Sequence, residues 1–218
     1  MQLSSDELVS RIIAAAEIYD IAACEALIAS AIATLDPLTY VRDVMAPLLR
    51  ETGTRWHWGK LSVAQEHMIS GVVRRQLSHA LDHYLVDASG PVILFATLSG
   101  ERHEMGMLMG AVLAASRGFR CIYLGPDLPA AEIARFCVNR SVDVVALSLV
   151  VQPDVIDSLA ELADLHAQLP GTTQIWVAGQ AAAMMPVGDI PAGITPIYDL
   201  DAYLRRLATL QAGPAATP

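Results

Sequence analysis

The chain of 218 residues is 54% hydrophobic and 17% charged, with a formal net charge of −9 and a mean hydropathy of +0.42. This composition excludes a disordered chain, and the lack of any basic run longer than a pair such as Arg74-Arg75 argues against direct contact with nucleic acid. The longest uncharged apolar stretches, such as residues 105–116, are too short for a bilayer span of roughly 20 residues, so we expect a cytoplasmic protein without membrane association.

The first part of the chain predicts helices, because apolar residues recur at helical spacing from residue 6 to about residue 86. Asp36-Pro37 separates two of them, since a residue before proline is biased away from helical backbone, and Ser62 is a suitable N-cap for the last one. The predicted helices span residues 7–19, 21–35, 38–54 and 62–85. Short connections between four helices indicate a four-helix bundle, which we assign to residues 1–87.

The pattern changes after a linker at residues 87–91. A continuous apolar run at residues 92–97 predicts a strand covered on both faces, and the loop 98–104 leads into an apolar helix that ends near Gly118. Further strands are predicted at residues 121–124, 144–149 and 175–178, and helices at 130–140, 155–169 and 202–210. Because strands alternate with helices, we predict an α/β fold with a Rossmann-like (flavodoxin-like) parallel sheet over residues 90–213.

The three cysteines, Cys24, Cys121 and Cys137, are far apart in the sequence and lie among apolar residues without a CxxC spacing. We therefore predict buried free thiols.

The loop after the first predicted strand contains residues suited to binding a metal. Glu101, His103 and Gly106 form an E-x-H-x-x-G pattern, and the phosphate-binding patterns GxGxxG and GxxxxGK[ST] are both absent. A neutral imidazole is a good ligand for a borderline metal, and a carboxylate on its second nitrogen fixes the tautomer and raises its basicity. The loop alone leaves open an ordinary surface histidine.

The loop pattern resembles the D-x-H-x-x-G signature of base-off/His-on cobalamin domains, and two later elements agree with it. Ser148 follows Gly106 after 41 residues, as does the S-x-L element of that family. Ala178-Gly179 stands after the next predicted strand, where the family has a Gly-Gly pair. These three elements lie at the ends of three predicted strands, where a parallel sheet binds its ligands.

The resemblance implies that His103 ligates cobalt from below, with Glu101 and Ser148 in support, while the glycines leave room for the nucleotide tail of the cofactor. It assigns this part of the cofactor site to Glu101, Arg102, His103, Gly106, Ser148, Val150, Ala178 and Gly179. The sequence departs from the family pattern at three positions, where Glu101 replaces Asp, Val150 replaces Leu and Ala178 replaces the first Gly.

A second motif lies in the predicted helical bundle. Trp56 and the pair Glu66-His67, separated by nine residues, resemble the cap of CarH/LitR-type adenosylcobalamin light sensors, and this resemblance covers nearly the whole chain. A tryptophan before a helix is otherwise explained by core packing. The resemblance implies that Trp56 stacks on the 5′-deoxyadenosyl group, that Glu66 hydrogen-bonds it, and that His67 packs or bonds nearby. His57 resembles the residue that takes the upper cobalt position after light has expelled the adenosyl group.

The resemblance implies a light-sensing regulatory module without catalysis, in which photolysis of the cobalt–carbon bond changes conformation or assembly. Related repressors begin with a winged helix–turn–helix domain, which this sequence lacks, so we expect a trimmed chain or a stand-alone sensor that signals through an unknown protein partner. A bilin such as biliverdin stays open as a second chromophore. The strongly apolar helical part predicts a homo-oligomer, either a dimer or a tetramer.

Two other classes of protein stay open. A corrinoid carrier of a methyltransferase system has a helical bundle followed by the same cobalamin fold at similar length. A cofactor-free interaction domain is the third class. The W-x9-E-H pattern favours the sensor, because it fits an adenosyl group better than a methyl group that awaits transfer.

Overall fold

The computed structural model of the chain describes residues 3–150, 155–184 and 190–213. The chain divides into two compact units, Met1–Val86 and Asp87–Pro218. No helix within the described ranges is both long enough and apolar enough to cross a membrane.

The first unit is helical, and its helices follow the predicted order. They are α1 (Ser5–Glu17), α2 (Ile21–Thr34), α3 (Pro37–Thr39), a π-helix (Tyr40–Met45), α4 (Ala46–His57) and α5 (Val63–Leu85). The third predicted helix is thus a continuous helical run in which a π-helical segment separates α3 from α4. Buried apolar side chains from all four helical runs, among them Ile12, Ile28, Leu48 and Val73, form the core of this unit.

Side-chain caps determine where these helices begin. Ser62 caps α5 as predicted, through a capping box in which its hydroxyl accepts from the Gln65 backbone N–H and the Gln65 side chain accepts from the Ser62 backbone N–H. Asp36 accepts hydrogen bonds from the first backbone N–H groups of α3, and Pro37 occupies the first helical position, where a missing N–H costs nothing. The residues that separate the helices in the sequence therefore also satisfy their free backbone donors.

The second unit is a five-stranded parallel sheet with the strand order β2-β1-β3-β4-β5. Its strands are β1 (Val92–Leu98), β2 (Arg120–Leu128), β3 (Val144–Ser148), β4 (Gln174–Ala178) and β5 (Ile194–Ile197). Its helices are α6 (Met105–Ala115), α7 (Ala130–Asn139), α8 (Val155–Gln168), α9 (Gln180–Met184) and α10 (Leu200–Ala212). The predicted flavodoxin-like fold is confirmed, since this strand order is the one that defines it.

Two elements of the second unit, one strand and one helix, were not predicted. The fifth strand, β5, and the short helix α9 lie between the predicted strand at residues 175–178 and the last helix. The strand β2 also extends four residues beyond the predicted range, to Leu128, through irregular pairing with β1. This extension determines which residues of β2 reach the loop after β1.

Candidate functional site

The topology of the sheet marks one place for a ligand. The strand β2 lies on one side of β1 and β3 lies on the other, so the strand order of the sheet reverses between β1 and β3. Ligands of such sheets bind at this point, beyond the carboxyl ends of the two strands. The loop of residues 99–104 follows β1, and Leu149 and Val150 follow β3. The predicted E-x-H-x-x-G residues therefore lie at this switch point.

The carboxylate of Glu101 holds the loops after β1 and β3 together. Its side chain is buried, with only 4% of the residue exposed. Its Oε2 accepts a hydrogen bond of 2.7 Å from the backbone N–H of Val150, and its Oε1 accepts one of 2.8 Å from the backbone N–H of His103. A hydrogen-bonded carboxylate can stay ionised at such a buried position because backbone donors replace the water it loses.

The imidazole of His103 is oriented by the same carboxylate. Its Nδ1 lies 2.6 Å from Glu101 Oε1, so the neutral ring carries its proton on Nδ1 and presents the lone pair of Nε2 outward. The His103 side chain is 59% exposed, and within the described part of the chain no hydrogen bond to Nε2 is formed. The ring is therefore fixed in the tautomer that a metal ligand requires.

Three other predicted site residues lie at the ends of β3 and β4. Ser148 is buried at the end of β3 and pairs with Ala178 at the end of β4. Gly179 follows with a φ of +109°, and a Cβ at this position would lie 2.2 Å from the carbonyl oxygen of Leu149. The close approach of the two loops thus requires glycine at position 179, whatever else binds there.

Gly106 and Arg102 have different surroundings. A Cβ on Gly106, in the first turn of α6, would meet no atom within 4 Å, so the space beside this glycine is open. Arg102 is 83% exposed at its side chain, and its Nε lies 3.6 Å from the carboxylate of Asp127. The open space fits the predicted room for a bound group.

Sequence reasoning missed the contacts that β2 makes with the loop of residues 99–104, including Glu104. Asp127 contacts the loop at Gly100 and Glu101, and Tyr123 donates a 2.6 Å hydrogen bond to the buried carboxylate of Glu104. The sequence motifs assign no role to residues 123–127. The signal that could have revealed it is a polar residue at the end of a strand adjacent to β1.

The other predicted motif lies in the first unit. Trp56 and His57 end α4, and Glu66 and His67 lie in the first turns of α5. Trp56 is 49% exposed, so packing in the core of the unit does not account for it. The carboxylate of Glu66 accepts a 2.6 Å hydrogen bond from Ser70 and lies 2.5 Å from Nδ1 of His67.

The donor set fits a cobalt ion that a macrocycle already coordinates. Among the described residues, no group of three or more His, Cys, Asp or Glu side chains could hold a metal ion by itself. A metal bound in a macrocycle needs only an axial ligand, for which a single oriented imidazole such as His103 suffices. Among the described residues, His103 could therefore supply one axial ligand to a metal that a macrocycle already holds.

Comparison with known proteins gives the class of protein. The family model described as "B12 binding domain" matches residues 8–81, which lie in the helical unit. The structure of the Methanosarcina barkeri monomethylamine corrinoid protein has the same fold, with a TM-score of 0.71 over 94% of this chain and 99% of that chain, at 13% sequence identity. The match of the helical unit to this family supports a cobalamin-binding protein, and the solved structure shows that the fold is shared.

Two relatives narrow the family. The HTH-type transcriptional repressor CarH of Myxococcus xanthus is 35% identical over 170 residues, which cover 78% of this chain and 56% of the repressor. The HTH-type transcriptional repressor CarA of the same organism is 39% identical over 116 residues, which cover 53% of this chain and 38% of the repressor. This chain thus spans about half the length of CarH and less than half that of CarA. The family-model match and the similarity to these two repressors support a cobalamin-binding, CarH-like chain, as the resemblance of its motifs indicated.

Proposed function

We propose that this chain is a light-responsive regulatory module that binds adenosylcobalamin in the base-off/His-on form, with His103 as the lower cobalt ligand. The observation that carries the proposal is the Glu101 carboxylate, which is buried, held by the backbone of Val150 and placed 2.6 Å from Nδ1 of His103. Such a carboxylate strengthens an imidazole ligand and fixes its orientation. Ser148 is assigned, with Glu101, to the support of His103. The remaining predicted residues of the lower site are assigned to the nucleotide tail and its surroundings: Arg102, Gly106, Val150, Ala178, Gly179.

The exposed residues of the helical unit are assigned to the upper side of the cofactor. Trp56 offers a half-exposed ring for stacking on the adenosyl group, and Glu66 offers a carboxylate whose position Ser70 fixes. His67 bonds to Glu66 and supports it. His57, next to Trp56, offers an imidazole for the upper position once the adenosyl group has left.

The proposed signal follows from these assignments. Adenosylcobalamin supplies a cobalt–carbon bond that visible light breaks. Trp56 and Glu66 then lose a contact partner, which changes the free-energy balance between arrangements of the helical unit. We propose that this change alters the assembly of a homo-oligomer, a dimer or tetramer, and is read by a downstream protein partner. Regulation, without catalysis by the chain itself, is supported by its similarity to two transcriptional repressors.

The test is an absorption spectrum of the purified chain after reconstitution with adenosylcobalamin in the dark, with and without biliverdin. We expect a His-on adenosylcobalamin spectrum that changes irreversibly under green light, together with a change in oligomeric mass. His103→Ala should lose the His-on features, because it removes the imidazole assigned to the lower cobalt position. His79→Ala, at an exposed position of α5, is the control and should behave like the wild-type chain.

A methyl-transfer assay beside this experiment separates the sensor from a corrinoid carrier, the second candidate, since a corrinoid protein shares the fold. A carrier would bind methylcobalamin and donate its methyl group to a thiol acceptor when supplied with a methyltransferase. An oligomeric mass that light does not change, combined with such transfer, would replace the sensor by the carrier. Spectra that biliverdin does not alter would exclude the bilin that the sequence leaves open as a second chromophore.

A further inference from the structure

We propose that Asp127 is a positioning residue for His103, which it fixes through the backbone of the loop 99–104. The inference rests on the proposed function, because it concerns the orientation of the proposed cobalt ligand. It assigns a role in the site to the end of β2, a strand to which the sequence motifs assign none.

The contacts of Asp127 involve both its side chain and its backbone. Its Oδ1 accepts a 2.8 Å hydrogen bond from the backbone N–H of Gly100. Its own backbone N–H lies 2.9 Å from Thr97 Oγ1 and 3.2 Å from the carbonyl oxygen of Glu101. Thr97, which is fully buried at the end of β1, donates its hydroxyl proton to the same Glu101 carbonyl. One residue of β2 thus fixes both Gly100 and Glu101.

The backbone conformation of Asp127 supports a specific role. Its φ is +62°, in the left-handed region that non-glycine residues seldom adopt. Such a conformation costs free energy and persists where surrounding contacts determine it. At this position it allows the N–H and the carboxylate of one residue to bind the same loop.

Asp127 acts on His103 through Glu101, whose backbone carbonyl and side-chain carboxylate are both held by hydrogen bonds. Asp127 and Thr97 hold its backbone carbonyl, whereas Val150 and His103 hold its carboxylate. When the contacts of Asp127 are lost, the backbone of Glu101 gains freedom, and the ring of His103 follows it. Small displacements matter here, because a metal ligand must keep its distance and direction.

The experiment compares substitutions of Asp127 with a matched control in the same sheet. Asp127→Gly keeps the left-handed conformation accessible but removes the acceptor, whereas Asp127→Asn keeps an acceptor oxygen. Asp143→Ala is the control, since Asp143 accepts a 2.7 Å hydrogen bond from the backbone N–H of Val92 at the opposite end of β1. Two readouts are measured: hydrogen exchange of the Gly100 amide in the cobalamin-free chain, and the rate of hydroxocobalamin release.

We expect Asp127→Gly to accelerate both exchange at Gly100 and release of hydroxocobalamin by about five- to ten-fold, the effect of one net hydrogen bond. Asp127→Asn should restore both values to within about two-fold of the wild type, since it restores the acceptor. Asp143→Ala should change neither. In the cobalt(II) form, the nitrogen splitting of the electron paramagnetic resonance spectrum should weaken only in Asp127→Gly.

The outcomes separate this inference from the proposed function. Faster exchange at Gly100 with unchanged release and unchanged nitrogen splitting would overturn the role of Asp127 toward His103, as would equal effects in Asp143→Ala. Wild-type chain that fails to retain hydroxocobalamin would overturn the proposed function itself, and the role of Asp127 toward cobalt with it.

Discussion

Two glycines of the lower site illustrate how the same residue type can serve different purposes. Gly179 has a left-handed backbone and lies against the Leu149 carbonyl, so the fold itself needs it. Gly106 lies in α6 with open space beside it, so the fold of the unit alone gives no reason for glycine there. A helix prefers alanine to glycine at such a position. The open space therefore indicates a functional reason for Gly106.

We predict that Gly106→Ala leaves the cobalamin-free chain as stable as the wild type, or more stable by up to about 1 kcal/mol. Its affinity for hydroxocobalamin should fall, because the added methyl group fills the space assigned to the nucleotide tail. Urea unfolding and equilibrium dialysis measure the two quantities. The contrasting variant, Gly179→Ala, should destabilise the free chain by about 3 kcal/mol or more through strain and overlap. Unchanged cobalamin affinity in Gly106→Ala would contradict the assigned tail position.

At the residue scale, the sequence predicted the part of the site that is local in the chain. Glu101 and His103 are two residues apart, and their contact follows from that spacing. The contact of Glu101 with the backbone of Val150 depends on two strands becoming neighbours. The family resemblance placed both residues in one site without predicting this contact. Asp127 was missed because its role depends on a left-handed backbone and on the extension of β2, and neither has a pattern in the sequence.

At the scale of elements, the capping box of α5 allows the contribution of one helix cap to stability to be measured. The hydroxyl of Ser62 accepts from the Gln65 N–H and also lies 3.2 Å from the hydroxyl of Tyr19, at the end of α1. We predict that Ser62→Ala lowers the free energy of unfolding by about 1 kcal/mol, since it leaves a helix donor without its partner. Ser78→Ala, within the same helix, should be neutral or stabilising because alanine has the higher helix propensity. Thermal unfolding of both variants measures the difference, and equal effects would show that capping is unimportant here.

The elements that the sequence missed are short or irregular. The strand β5 has only four residues, Ile194–Ile197, and one of them is a proline. A run this short shows no clear periodicity, and proline has a low propensity for strands. It is an edge strand that pairs only with β4 in this sheet, so its pairing depends on tertiary structure. The π-helix at residues 40–45 continues the apolar pattern of its helical neighbours, and for that reason periodicity predicted one uninterrupted helix. The long helices and central strands, by contrast, were predicted within a few residues.

At the scale of the whole molecule, burial controls the chemistry of the thiols. All three cysteines are free and buried, as predicted from their apolar surroundings. Burial raises the pKa of Cys121 to about 12 and that of Cys137 to about 11, and it also raises the pKa of Cys24. The thiolate, which is the reactive form, is therefore disfavoured in the folded chain.

We predict that the native chain does not react with a thiol reagent at pH 8, whereas the unfolded chain reacts at all three cysteines. Val138→Cys introduces an exposed thiol on α7 and is the control, since it should react at once. Rapid labelling of the native wild type would show that the buried cysteine sites open frequently.

The raised pKa values of the thiols also predict how the stability of the folded chain depends on pH. The contribution of the buried thiols is complete below the unfolded pKa of about 8.5 and is lost as the pH rises toward 11 and 12.

The hydrogen bond from Val150 to Glu101 has a consequence for how the family tolerates variation. Its donor is a main-chain amide, so every amino acid except proline could supply it at position 150. The replacement of the family's leucine by valine therefore costs this contact nothing. Distant members can exchange the side chain freely while keeping the bond, and a proline at this position would identify a member that has abandoned it.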